Sequence, residues 1–261
     1  MGDEKPYRPG IESLFEVVAR LRAPDGCPWD REQTHESLRP YLLEETYELL
    51  EAIDTGDDVK IKEELGDVLL QVAMHAEIAA QEGRFNAAEV SEGAAAKMVA
   101  RHPHVFGDVA VANADEVLRN WEHAKVDEAR RAGRDDESVV DRVPSTLPAL
   151  AWTLGLQKRA ARVGFDFDTP AGAVEAVAEE ARELAGAQGS EAAFDELGDL
   201  LFAVVGLARK LKLNPEDALR VAGQRFRARF ADLESALGRE GRDFRGLETD
   251  ELLRRWDETK K

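Results

Sequence analysis

Apolar positions recur every three or four residues along nearly the whole chain, whereas alternating apolar and polar runs are hard to find, so the period is that of a helix. Ala, Leu, Glu, Arg and Lys, all good helix formers, fill most windows. The pattern predicts an all-α protein with helices near 10–22, 38–55, 58–82, 86–101, 114–131, 147–162, 170–187, 191–212, 215–238 and 248–259. Asn214-Pro215-Glu216 reads as cap, first-turn proline and first-turn acid, and Gly56 and Gly83 read as helix stops. The polar stretch from Gly133 to Pro148 carries two prolines and reads as a connection. The expected domains are 1–132 and 145–261, with 133–144 as linker.

The two halves repeat one another. Glu64-Leu65-Gly66-Asp67 returns as Glu196-Leu197-Gly198-Asp199, each preceded by an acidic helix: Leu43 to Glu48 in the first half, Ala178 to Glu183 in the second. Downstream, Lys97 and Arg101 match Arg225 and Arg229, and Trp121 matches Trp256; upstream, Cys27-Pro28-Trp29-Asp30 has a looser echo in Val163-Gly164-Phe165-Asp166. Matching features in one order make the chain a tandem repeat of two helical bundles.

The repeated residues are acids in an unusual place. At about 100° per residue, Glu45 and Glu48 share a helix face with Leu42, Leu49 and Ala52, and Glu64 and Asp67 share one with Ile61, Val68 and Gln71. In the second half Glu180 and Glu183 lie with Val177 and Leu184, and Glu196 and Asp199 with Leu200, Ala203 and Val204. Carboxylates inside an apolar stripe are costly unless something positive neutralises them. A site of oxygen donors alone suits Mg²⁺, with Mn²⁺ as substitute, and the lack of His and Cys disfavours Zn²⁺. Such an ion takes remaining ligands from water and substrate phosphates. Glu44, Glu51, Glu63 and Glu179 are readable as solvated surface acids.

Charge narrows the partners. With 35 Lys and Arg against 53 Asp and Glu, the net charge of −18 repels phosphate backbones and anionic lipid, so nucleic acid and membrane surfaces are not expected partners. A small anion bridged by metal is compatible with it. No apolar run reaches the length of a membrane helix, the amino terminus lacks a signal-peptide pattern, and Cys27 is the one cysteine, all of which points to a cytoplasmic protein without disulfides.

The EExxE runs followed by ExxD, the CPWD stretch from Cys27 to Asp30, the RHPHVFGD stretch from Arg101 to Asp108, and the duplication together resemble the MazG family of nucleoside triphosphate pyrophosphohydrolases, from about Ile11 to Trp256. The resemblance implies an all-α fold that pairs into homodimers and a Mg²⁺-dependent cleavage of nucleoside triphosphates to monophosphate and pyrophosphate. It makes Glu180, Glu183, Glu196 and Asp199 the metal ligands of the second domain, matched by Glu45, Glu48, Glu64 and Asp67 in the first. Glu179 is a candidate acceptor of the attacking water's proton, beside Glu180 and Glu196 as catalytic acids. Arg225 and Arg229, four apart, are candidates for the phosphate tail, and Trp256 for stacking on the base, which fits broad base selectivity; Lys97 and Trp121 are their first-domain counterparts. Relatives tend to have lysine where Arg225 stands, a change of hydrogen-bond geometry at constant charge. The second domain is the expected main catalytic one.

Lys158, Arg159 and Arg162 read as a basic surface face, Cys27 as a turn element, and His102 and His104 as turn packing. Two other functions compete. A di-iron bundle needs ExxH pairs, of which only Glu32-x-x-His35 exists. A catalytically silent, nucleotide-binding regulatory or scaffold protein would bind without turnover.

Overall fold

A computed structural model describes residues 10–114, 116, 117, 120, 121, 124, 128, 138–141 and 143–260. Among these, every regular element is helical, and the chain divides into two compact units, Met1–Gly133 and Arg134–Lys261.

In the first unit, α1 (Ile11–Leu21), α2 (Pro28–Glu32), α3 (Arg39–Thr55), α4 (Asp58–Gln81), α5 (Ala87–Arg101) and α6 (Pro103–Phe106) follow one another. The α3–α4 hairpin turns in two residues. Gly56 closes α3 at φ 67, a left-handed conformation that suits glycine, and Asp57 opens α4 by accepting from the Val59 and Lys60 amides. α1 lies on α4, and Val18, Leu38, Ala73, Met74 and Ile78 form the core with Leu14, Phe15 and Leu70 against it. The buried Arg22 binds the bend after α1 to both neighbours: its guanidinium donates to the Asp30 and Gln33 carbonyls and to Gln81 Oε1. Gly26 makes that bend close, since a Cβ there would stand 2.1 Å from the Leu21 carbonyl oxygen. Asn86 and Glu89 form a capping box at the start of α5.

The second unit contains α7 (Ala149–Arg162), α8 (Pro170–Gly186), α9 (Ser190–Lys210), α10 (Pro215–Arg239), a 3₁₀ turn at Phe244–Gly246 and α11 (Thr249–Glu258). Thr169 caps α8 and Asn214 caps α10, each followed by a first-turn proline. α8 and α9 pack along their lengths as α3 and α4 do, and α7 lies across α9 and α10. Ala173, Val205 and Leu237 are the most deeply buried apolar residues. Val143, near the end of the expected linker, is buried, and a Cβ on Gly155 would meet its side chain at 2.7 Å. Leu237→Ala is expected to lower stability by about 2–5 kcal/mol, because the vacated volume is walled by packed helices, and urea unfolding measures the loss.

The expected helices agree with the structure to within two residues at each end wherever they are described. The one expected over 114–131 lies mostly outside the described residues, though Ala114, Glu116, Val117, Asn120, Trp121, Ala124 and Glu128 are helical. The short α2 and α6 have no counterpart in the periodic pattern; each begins on a proline at its first position, Pro28 and Pro103.

Candidate metal centres and an adjoining pocket

Each helix pair brings its acids to one point. In the first unit α3 carries Glu45 and Glu48 to Glu64 of α4; in the second, α8 carries Glu180 and Glu183 to Glu196 of α9. Carboxylate oxygens of each trio lie within 4.8 Å of one another. The fourth acid is within electrostatic reach: Asp67 raises Glu45, and Asp199 raises both Glu180 and Glu196. Glu45, Glu64, Asp67, Glu180 and Glu196 are half-buried, while Glu48, Glu183 and Asp199 are exposed.

The electrostatics are those of crowded like charges. Desolvation, then Asp67, Glu48 and Glu64, push the Glu45 carboxyl above its ordinary value; desolvation, then Glu48 and Asp67, do so at Glu64. In the second unit desolvation is again the largest cause, followed by Glu183 and Asp199 for both Glu180 and Glu196. Three convergent carboxylates, with a fourth in electrostatic reach and no histidine or cysteine among them, fit a hard divalent cation, which would relieve the repulsion that raises the carboxyls.

A pocket of about 620 Å³ opens beside the second cluster. Glu180 and Asp199 stand in its wall together with Gln157, Phe165, Phe167 and Gly206. The Phe165 loop is latched by Asp166, which accepts from Arg209 and from Lys210 Nζ at 3.1 Å. The Arg209 bond, then that of Lys210, holds the Asp166 carboxyl down at about 2 despite desolvation. Because folding lowers this pKa, its contribution to stability is full above the ordinary value of 3.8 and is lost as pH falls toward 2. The thermal midpoint should therefore fall less steeply between about pH 4 and pH 2 in Asp166→Asn than in the unsubstituted protein.

The remaining candidates lie elsewhere. Glu179 is exposed on α8, next to Glu180. Arg225 is exposed and Arg229 half-buried on α10, and neither lines the pocket. Trp256 packs on Phe226 with ring centroids 5.1 Å apart, in an aromatic row continued by Phe230 and Phe244. Lys97 is exposed on α5, and Trp121 meets the edge of His102 and the guanidinium of Arg101. His102 stands at the N-cap position of α6 without a side-chain cap, its Nδ1 2.6 Å from the Met98 carbonyl oxygen. His35 does not stand open for iron: its Nδ1 lies 2.7 Å from Nδ1 of His75 and its Nε2 contacts Arg84.

Sequence reasoning missed this histidine pair, the Asp166 latch and the role of Gln157 as a wall of the pocket. Only the repeated Asp30 and Asp166 signalled any of them.

Residues 33–106 match the MazG nucleotide pyrophosphohydrolase domain. The nucleoside triphosphate pyrophosphohydrolase/pyrophosphatase MazG of Thermotoga maritima is 42% identical over 250 residues, which is 96% of this chain and 95% of that protein. The nucleoside triphosphate pyrophosphohydrolase of Escherichia coli K12 is 40% identical over 258 residues, 96% of this chain and 97% of the relative. An uncharacterized Bacillus subtilis protein, YabN, is 45% identical over 99% of this chain and 53% of its own length. With its helix-borne acid clusters, the chain is an all-α hydrolase acting on phosphoric anhydrides. It belongs to the MazG family of nucleoside triphosphate pyrophosphohydrolases.

Proposed function

We propose that the chain converts nucleoside triphosphates to monophosphate and pyrophosphate with Mg²⁺, accepts several bases, and works as a cytoplasmic homodimer that clears unwanted nucleotides. The observation that carries the metal is the convergence of three carboxylates within 4.8 Å, repeated at the same register of both units. In the second unit Glu180, Glu183, Glu196 and Asp199 hold the ion, and Glu45, Glu48, Glu64 and Asp67 are their counterparts. When bound, Mg²⁺ or Mn²⁺ would neutralise phosphate oxygens and lower the pKa of a coordinated water. Glu179, exposed beside the cluster, accepts the proton of the attacking water. Arg225 and Arg229 draw in the triphosphate tail, and Lys97 does so in the first unit. Trp256 and Trp121 are the aromatics that the family resemblance sets against the base.

Pairing is supported by the surfaces of the acid-bearing helices. Leu43, Ile53 and Leu65 in the first unit, and Leu197, Leu201 and Phe202 in the second, are each at least 45% exposed. A second copy would cover apolar area of this kind.

The second unit is proposed as the main catalytic one because its acids open onto the 620 Å³ pocket. Product analysis tests the reading. Purified protein is incubated with each common ribo- and deoxyribonucleoside triphosphate, with Mg²⁺ or with chelator. Metal-dependent monophosphate and pyrophosphate are expected; diphosphate and phosphate would move the attack to another phosphorus, and binding without product would make the chain a silent nucleotide-binding scaffold.

A further inference from the structure

Away from its acid cluster, the first unit holds a chain of titratable side chains that hydrolysis does not use. His35 lies in the connection between α2 and α3, His75 on α4, and Arg84 in the turn that follows α4. Nδ1 of His35 stands 2.7 Å from Nδ1 of His75, and the two ring planes are 4° apart with centroids separated by 4.9 Å. Parallel rings with atoms this close cannot lie face over face, where a full van der Waals distance would part them, so they meet edge to edge in a hydrogen bond. On its other side His35 Nε2 contacts the Arg84 guanidinium, which also pairs with Glu82 at 2.5 Å.

These contacts leave one arrangement of protons. A guanidinium only donates, so His35 Nε2 accepts and the ring carries its proton on Nδ1. His75 Nδ1 then accepts in turn, which places the His75 proton on Nε2. That nitrogen is buried and unpartnered, and Gln71, one turn earlier on α4, has a buried, unpartnered Oε1 of the matching polarity. Both rings are neutral in this arrangement, and a further proton has no place in it. On His35 Nε2 it would set an N–H and a positive charge against Arg84; on His75 Nδ1 it would set two N–H groups against each other.

Little nearby compensates for added charge. Desolvation, then His35, hold the His75 imidazole below its ordinary value of 6.5, and among the described residues no charged group of α1, α3 or α5 acts on it. Glu82 is taken by Arg84, and Glu36 is exposed, where solvent screens its attraction for a charged ring. The segment that His35 holds is otherwise tied only to itself: within 34–37 the remaining described bonds are local, between Thr34 and Ser37 and from Ser37 to Gln33. It runs into the buried Leu38 and then into α3, which carries Glu45 and Glu48.

We infer that His35, His75 and Arg84 form a proton-operated clasp between the α2–α3 connection and α4, closed while both rings are neutral. The first added proton, on His35 Nε2, displaces Arg84, and the second parts the rings. A histidine lowered by folding favours the fold above its ordinary value and loses that advantage as pH falls toward the folded one, so the clasp loosens on acidification.

Hydrogen–deuterium exchange of the full-length protein in chelator, read by mass spectrometry on peptides covering 33–38 and corrected for intrinsic rates, tests the clasp. From about pH 7.5 to about pH 5.5 protection of this segment should fall by about tenfold. His35→Gln, which cannot titrate, should remove that fall. Arg84→Ala, at an exposed position, should lower protection several-fold already at the higher pH. In protein labelled with ¹⁵N-histidine, long-range spectra at the higher pH should show the proton on Nδ1 of His35 and on Nε2 of His75. The opposite tautomers, protection that ignores pH, or protection unchanged in Arg84→Ala would overturn the clasp. A fall that survives His35→Gln would overturn it too, and would place the response in the acids of α3 and α4.

Discussion

Glu196→Gln should lower triphosphate turnover by at least about a hundredfold and, in the same protein stripped of metal, raise the thermal midpoint. The two effects have one origin. Glu196 meets Glu183 and Asp199 in a cluster whose charges oppose one another, and with desolvation they raise its carboxyl above the ordinary value. A carboxyl raised by folding favours the fold below its unfolded pKa and loses that advantage as pH rises through the folded value, so at neutral pH the charge opposes folding. Glutamine keeps the shape and removes the charge, which relieves the metal-free protein and deprives a cation of a ligand. Turnover is read from pyrophosphate release and the midpoint from calorimetry in chelator. Unchanged turnover would end the assignment of the second unit as the working one, and a lower midpoint would contradict the repulsion.

Mg²⁺ itself should raise the thermal midpoint of the chelated protein by on the order of 10 °C at a hundredfold excess over its dissociation constant, since linkage then supplies about 2.7 kcal/mol per site. Each unit should respond through its own acids. Glu64→Gln should remove the response of the first unit and Glu196→Gln that of the second, each leaving the other in place. A shift that survives both substitutions in one chain would mean that Mg²⁺ binds elsewhere. A second unit that responds while the first does not would separate the metal sites before any assay of turnover.

How much of this was legible in the sequence depended on the range of the interaction concerned. Helix spans were, because an apolar stripe and its caps are local: Asn214 caps α10, and Gly56 closes α3 at positive φ. The acid faces were legible too, because a helix fixes which residues share a side and the repeat says which helices must meet. The short helices were not, since four or five residues are too few for periodicity to show. Contacts across tens of residues were invisible as well. Nothing near His35 announces His75, and nothing near Asp166 announces Arg209 and Lys210. Gln157 in a helix reads as an ordinary surface residue until α9 covers it and the Phe202 carbonyl takes one half of its amide. The stacking role of Trp256 came from the family resemblance alone, and its packing on Phe226 was not legible in the sequence.

The acids of the second unit stand on α8 and α9, whereas Gln157 stands on α7 and Phe165 on the loop that follows it. The acid cluster and the facing wall of the pocket are therefore carried by different parts of the chain. A change in α7 or its loop can reshape the pocket without touching the acids, and because the acid cluster occurs twice, variation beside one copy leaves the other unaltered.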